Sequence, residues 1–295
     1  MMRQFGDAGL GTFWSGAPLA ALDRACLRSF ADAGHDVVLY SYEPIGNVPD
    51  NVRTADAGEL LDRAQMERVL YRGKPDLAHF SDLFRYEMIR QTGKVWIDMD
   101  LVLIGEKPLP VFENILVRES HGPLNGAILA IRDDELLSSV RREVEGKLDR
   151  NLRWGETGPG LLHHCVSRLD KKIDVYHHRY FYPLHHDEIW KVLLPSHAEE
   201  CAQSCSRAVT LHLFNNVVCR LGFWKEFGPP EGSYLHTVFA DAGVLDEFAS
   251  FYPANVMTAI AENFRLRLTG KDLGIRSIVR EAIPSVRRTY RHWRA

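Results

Sequence analysis

The sequence predicts an α/β protein with a central, mostly parallel sheet flanked by helices. Three observations predict it. Residues 10–44 read as strand, turn, helix and strand; residues 77–104 read as an amphipathic helix that passes through a glycine into a long apolar run; and two β-rich runs at 115–117 and 125–131 lead into another amphipathic helix. Strands that alternate with helices are joined by crossovers, the connection that parallel pairing requires.

The first unit is a βαβ opening. Pro18 suits a first helical turn, Leu19, Leu22, Cys26, Leu27 and Phe30 recur at helical spacing, and Gly34 closes the helix before Val37-Val38-Leu39-Tyr40. The glycines at 6, 9 and 11 lack the spacing of a dinucleotide fingerprint. Pro44, Gly46, Asn47, Pro49, Asp50 and Asn51 then give turns, followed by an expected helix of mixed polarity. Gly73-Lys74-Pro75-Asp76 introduces the helix whose apolar stripe is Leu77, Phe80, Phe84 and Met88, with Asp82 and Arg85 sharing a face three residues apart.

That helix stops at Gly93 and the chain enters Val95-Trp96-Ile97, Asp98-Met99-Asp100 and Leu101-Val102-Leu103-Ile104. The apolar continuity predicts one strand buried on both faces. Residues i and i+2 of an extended chain share a side, so Asp98 and Asp100 are expected to present their carboxylates together. Two adjacent anions need a counter-charge, and a hard divalent cation is the simplest one; the competing reading is a turn in which the strand merely ends. Further on, Leu136, Leu137, Val140, Val144 and Leu148 mark a helix, Trp154-Gly-Glu-Thr-Gly-Pro-Gly160 a tight loop at a helix N-terminus, and Val209–His212 a short strand.

Composition narrows the function classes. With 295 residues, 45% hydrophobic and 25% charged, the chain is an ordinary globular protein, read as one large domain over 1–255 and a basic helical tail over 256–295. A net charge of -3 offers no global attraction to nucleic acid. Cys26, Cys165, Cys201, Cys205 and Cys219 form no disulfide framework, and the sequence has no signal pattern or apolar run of about 18 residues, so a reducing, cytoplasmic setting is expected. Cys201 and Cys205 stack at helical spacing, but no second pair accompanies them for zinc. Histidines crowd residues 163–212 without an H-E-x-x-H frame. The tail carries Arg276, Arg280, Arg287, Arg288, Arg291 and Arg294 among apolar residues, which suits an anionic membrane surface or a solvated or oligomer-contacting helix interrupted by Pro284.

Taken together, SDLFRYEMIRQTGKVWIDMD resembles the S-D-x-x-R-Y-x-x-L-x-x-x-G-G-x-Y-x-D-x-D signature of DXD-type, sugar-nucleotide-dependent glycosyltransferases, with Lys94 and Trp96 in place of the second glycine and the tyrosine. Phe13-Trp14-Ser15-Gly16 resembles that family's W-x-G element, Asn125-Gly-Ala its N-G-A strand, Trp154–Leu162 its W-G-x-x-G-P-x-L-L motif, Tyr180-Phe181-Tyr182-Pro183 its F-Y-P element, and His212-Leu-Phe214-Asn215 its H-x-W-N close. The likeness spans about residues 13–218 and is nearest the α-1,4-galactosyl- and N-acetylglucosaminyltransferase branch, as a soluble, bacterial-type member.

The resemblance implies a GT-A type nucleotide-sugar-binding fold, a UDP-sugar donor, retention of anomeric configuration, a divalent cation (manganese first, magnesium second), and a saccharide or glycolipid acceptor. It places Asp98, Asp100 and His212 at the metal. Trp14, Gly16, Asp82, Arg85, Tyr86, Gly158 and Asn215 fall at the donor, and Asp98, Asp100, Asn125, Glu156 and Thr157 around the chemistry, although relatives more often carry histidine and glutamine at 156 and 157. Two other classes fit parts of the pattern. A haloacid-dehalogenase-like phosphatase would use Asp98 as nucleophile, Asp100 as acid/base and Asp133-Asp134 as a late metal motif, while a non-catalytic carbohydrate-binding protein would keep the cleft and turn over nothing.

Overall fold

The computed structural model describes residues 9–16, 18–105, 107, 109–120 and 122–268; the arginine-rich segment after residue 268 lies outside the described residues. Strand β1 (Leu10–Phe13), helix α1 (Ala21–Ala31), β2 (Val37–Ser41) and β3 (Arg53–Asp56) form the opening unit, and a hairpin of β4 (Leu70–Tyr71) and β5 (Lys74–Pro75) leads into α2 (Leu77–Thr92). Next come β6 (Val95–Ile97), β7 (Leu101–Leu103), β8 (Ile115–Arg118), β9 (Leu124–Ala130), α3 (Asp134–Glu145), β10 (Asn151–Leu152) and α4 (Pro159–Ser167). The C-terminal part holds α5 (Ala198–Ser204), β11 (Thr210–His212), α6 (Asn215–Leu221), β12 (Phe227–Gly228), α7 (Tyr234–Asp241), β13 (Ser250–Phe251) and α8 (Ala254–Leu268).

The central sheet has six strands in the order β3-β2-β1-β6-β9-β8. Pairing is parallel from β3 through β6 and antiparallel at β6/β9 and β8/β9. The mostly parallel α/β architecture expected from the sequence is therefore the one observed. Period-two alternation divides the core between the sheet's two faces. Val38, Tyr40 and Trp96 pack with Phe80 and Phe84 of α2 and Val140 of α3. Val37, Leu39, Val95 and Ile97 pack on the other side with Leu27 and Phe30 of α1. A third apolar cluster joins the first turns of α1 to Val102, Leu211, α7 and α8, and it buries Met257, Ala261 and Phe264. Helix α8 thus crosses the expected boundary at 255/256 and packs on the core.

Several local expectations need correction. The run 95–104 is not one strand: β6 belongs to the central sheet, whereas β7 leaves it and pairs antiparallel with β11. Residues 43–73 contain no α-helix but an edge strand, β3, and short 3-10 segments at Ala57–Glu59 and Arg63–Arg68. Leu77 is 43% exposed and leaves the apolar stripe to Phe80, Phe84 and Met88. Helix α2 ends as expected, with Gly93 in the left-handed region at φ 63°.

No helix among the described residues is long and apolar enough to cross a membrane. Cys201 and Cys205 are buried, and burial pushes their thiols up to about 12 and about 11. Neither belongs to a metal-competent group among the described residues, so the idea of zinc there is set aside.

Candidate active site

The site forms where the carboxyl ends of β1 and β6, adjacent parallel strands, meet the amino end of the antiparallel β9. Asp98 is the first residue after β6 and Asp100 the last before β7. The two lie in a turn closed by the Leu101 N–H on the Asp98 carbonyl at 3.1 Å, not on an extended strand, which corrects the geometry expected for them. Pairing of β11 with β7 puts His212 opposite Leu101, directly beside Asp100. One ligand atom from each of Asp98, Asp100 and His212 lies within 4.8 Å of the others. Residues more than a hundred positions apart therefore meet because of one three-residue ladder.

Asp98 Oδ1 accepts from Arg85 Nη2 at 3.0 Å and from Trp96 Nε1 at 2.6 Å, so Oδ2 takes no hydrogen bond among the described residues. Its carboxyl is pushed up from the ordinary range by burial, against the pull of Arg85 and with Asp100 adding to the push. Asp100 Oδ2 accepts from the Asn215 N–H at 2.5 Å and lies 3.4 Å from His212 Nε2. Burial would raise Asp100, but the His212 imidazole and the Asn215 N–H hold it at about 2. His212 moves the other way: burial lowers it, and the facing Asp100 raises it further. The imidazole lies 3.9 Å, centroid to centroid, from the Phe214 ring, and its buried Nδ1 has no hydrogen-bond partner among the described residues.

Behind the turn sits Arg85, with only 7% of its side chain exposed. Its Nη1 is 3.4 Å from Asp82 Oδ1, and the guanidinium stands 4.9 Å over the Trp96 ring. Asp82 also accepts from the Thr157 hydroxyl at 2.8 Å. A Cβ at Gly158 would press on both oxygens of that carboxylate, so glycine lets Asp82 sit at the N-terminus of α4, where the helix dipole favours an anion. Three carboxylates, Asp82, Asp98 and Asp100, thus share one guanidinium and one imidazole. That excess of negative charge, together with an O,O,N donor set inside 4.8 Å, fits a divalent cation with ligand bonds of about 2.0–2.6 Å.

Gly126 of β9 faces the same guanidinium, and a Cβ there would collide with Arg85 Nη1. Gly126→Ala should cost about 1–3 kcal/mol of stability in urea denaturation, because Arg85 cannot shift without leaving two carboxylates. Gly46→Ala, which meets nothing within 4 Å, should stay within about 0.5 kcal/mol.

The other expected site residues divide. Trp14 follows β1 at the same edge as Asp98, half-buried, with its backbone N–H on the Tyr40 carbonyl, and Gly16 is exposed at φ 109°. Asn125 is at this edge too, but its amide donates to Glu119 at 2.5 Å and accepts from the Ala127 N–H at 2.7 Å. Asn215 engages Asp100 through its backbone. Tyr86 is wholly buried, and its hydroxyl donates to the Thr157 carbonyl at 2.8 Å, so it braces the loop. Thr157, 1% exposed, likewise positions Asp82.

Glu156 is engaged apart from the aspartates. Its carboxylate is engaged by the Arg153 N–H at 2.9 Å, Arg150 at 2.7 Å and Lys147 at 3.2 Å, and contacts none of the three aspartates. The Arg153 N–H, opposed by burial and helped by Lys147 and Arg150, holds it below the ordinary glutamate range. A depressed carboxylate adds stability above its unfolded value near 4.3 and loses it as pH falls through the folded value. The melting-temperature deficit of Glu156→Gln relative to wild type should therefore be present at pH 7 and vanish toward pH 3, as read by scanning calorimetry.

Sequence reasoning missed Trp96 as a donor to Asp98, although period-two alternation puts residues 96 and 98 on one side. It also missed Glu119, for which the loop sequence carries no signal. The phosphatase alternative loses its late metal motif, since Asp133 caps α3 through the Leu136 N–H at 2.9 Å and pairs with Lys171 at 2.6 Å. A second group, His185, His186 and Asp187, also gathers its ligand atoms, at the start of the 3-10 segment His186–Leu193.

No family model matches this chain, and no curated protein sequence matches it. Among solved structures it is similar to PaToxG Glycosyltransferase, with 13% identity and a TM-score of 0.42 over 55% of this chain and 69% of that one.

Proposed function

We propose that the chain is a metal-dependent, retaining glycosyltransferase of GT-A type that moves a hexose from a UDP-sugar to a saccharide or glycolipid acceptor. One observation carries the reading: Asp98 and Asp100 converge with His212, more than a hundred residues further on, with ligand atoms within 4.8 Å at the carboxyl edge of a mostly parallel sheet. The likeness of residues 13–218 to the DXD-type motifs supports the choice of a UDP-hexose and of retention.

In this reading Asp98, Asp100 and His212 would hold manganese or magnesium. A cation bound there supplies positive charge for the diphosphate that departs as the anomeric bond breaks. Arg85 fixes Asp98 through Oδ1, which leaves Oδ2 for coordination, and its buried charge adds to the field on the leaving group. Asp82, steadied by Thr157 and the start of α4, is placed to accept from sugar hydroxyls. Trp14 lies at the same edge and offers an aromatic face to the nucleobase. Thermal shift with UDP-, GDP- and CDP-sugars, with and without manganese, tests the proposal: a cognate donor at 100 times its Kd adds about 2.7 kcal/mol. No manganese-dependent shift and no hydrolysis of any donor would refute it.

A further inference from the structure

Helix α2 acts as a ruler along one wall of the site. The loop 153–158 runs beside it in the same direction: His79 Nε2 contacts the Arg153 carbonyl at 3.1 Å, Asp82 takes the Thr157 hydroxyl, and Tyr86 reaches the Thr157 carbonyl. Six residues separate His79 from Arg85, about 9 Å of helix. At the His79 end the loop presents Trp154, 63% exposed although its surroundings are fixed. The indole meets the buried His79 ring at 5.6 Å and Tyr71 at 5.9 Å. His79 is itself locked by Asp76 at 2.6 Å.

The neighbouring hairpin is equally constrained. Arg72 (φ 54°) and Gly73 (φ 74°) both adopt left-handed conformations, as the two-residue turn between β4 and β5 demands, and Gly73 N–H donates to the Asn151 side chain at 2.9 Å. The Arg72 guanidinium stands 5.1 Å over the Tyr71 ring. Glu156, held by Lys147 and Arg150, anchors the loop from behind. An exposed tryptophan on a backbone pinned at both ends loses little freedom when a ligand arrives, which is what makes such an aromatic an anchor.

We propose that Trp154, flanked by Tyr71 and Arg72, is the acceptor subsite, on which a pyranose ring of the acceptor saccharide lays its C–H face. A pyranose has an apolar face and a rim of hydroxyls; the indole matches the first, and the Arg72 guanidinium donates to the second. The loop that carries Trp154 reaches Asp82 through Thr157, which puts the indole on the α2 side of the donor position. The acceptor role rests on the glycosyltransferase reading; saccharide stacking on Trp154 does not.

The test uses the full chain labelled with 15N. The Trp154 indole N–H signal, identified by its loss in Trp154→Phe, is followed during titration with methyl β-D-galactoside, methyl β-D-glucoside and N,N′-diacetylchitobiose. A saturable shift with at least one sugar is expected, together with saturation-transfer contacts to that sugar that vanish in Trp154→Ala and survive in Trp154→Phe. In transfer assays Trp154→Ala should raise acceptor KM about tenfold with kcat and donor hydrolysis unchanged. A Trp154 signal that no sugar moves overturns the proposal, as does sedimentation showing a lower oligomeric state for Trp154→Ala than for wild type, which would make the surface a contact between copies. If sugars bind Trp154 but no UDP-sugar is bound or hydrolysed, the donor chemistry fails and this site stands. If hydrolysis persists while sugars ignore Trp154, this site alone fails.

Discussion

Asp98→Asn is expected to lower manganese-dependent turnover of the cognate UDP-sugar by about 10³-fold, about 4 kcal/mol of transition-state stabilisation. The substitution keeps the shape of the side chain. Arg85 and Trp96 both donate to one oxygen of Asp98, so the asparagine carbonyl is drawn to them and its NH2 group takes the position of Oδ2. A donor then stands where a ligand is needed. Burial already works against the Asp98 anion, so losing the charge should leave the metal-free fold intact in circular dichroism. Hydrolysis assayed with manganese and with EDTA separates the outcomes: wild type should respond to metal and the variant should not. A variant that keeps its manganese response would remove Asp98 from the coordination set.

Arg85→Met should have the largest effect on stability. Arg85 is the guanidinium between Asp82 and Asp98, at 3.4 and 3.0 Å, with 7% of its side chain exposed. Removing one partner of a buried pair leaves uncompensated charge and costs about 3–5 kcal/mol, much more than loss of an exposed i,i+3 pair. Urea denaturation at pH 7 should show that loss. Burial pushes the Asp98 carboxyl up, and without the opposing pull of Arg85 it rises further above its unfolded value, so acid favours the folded variant and the deficit should narrow as pH falls toward that unfolded value of about 3.9. Arg85→Lys should recover part of the stability, because one ammonium keeps the charge but lacks the fork that reaches two carboxylates. A deficit under about 1 kcal/mol at pH 7 would mean that Arg85 does not hold this cluster together.

Much of this arrangement was legible in the sequence, where it depended on strong local patterns. The βαβ opening, α2 with its glycine stop, and β9 all carry periodicities that tertiary packing reinforces. The acidic pair was visible because two carboxylates inside an apolar run conflict with burial. Edge strand β3, Arg-Thr-Ala-Asp, was missed because it packs little apolar surface and carries no alternation. The break between β6 and β7 was hidden for the opposite reason: both halves are wholly buried, and apolar continuity does not say which sheet a strand joins. Glu156 and Tyr86 looked like site residues through their neighbours in the chain. In the structure their side chains engage the loop 153–158 and its neighbours, a placement set by which way a side chain points and not by motif spacing.

The β7/β11 ladder has a consequence for biogenesis. The acidic pair emerges from the ribosome more than a hundred residues before its imidazole partner, and closing so long a loop is entropically slow. A nascent chain that has finished only its first 200 residues holds the two aspartates without the histidine that faces them. Assembly of the cluster is therefore timed to the arrival of one short strand, β11.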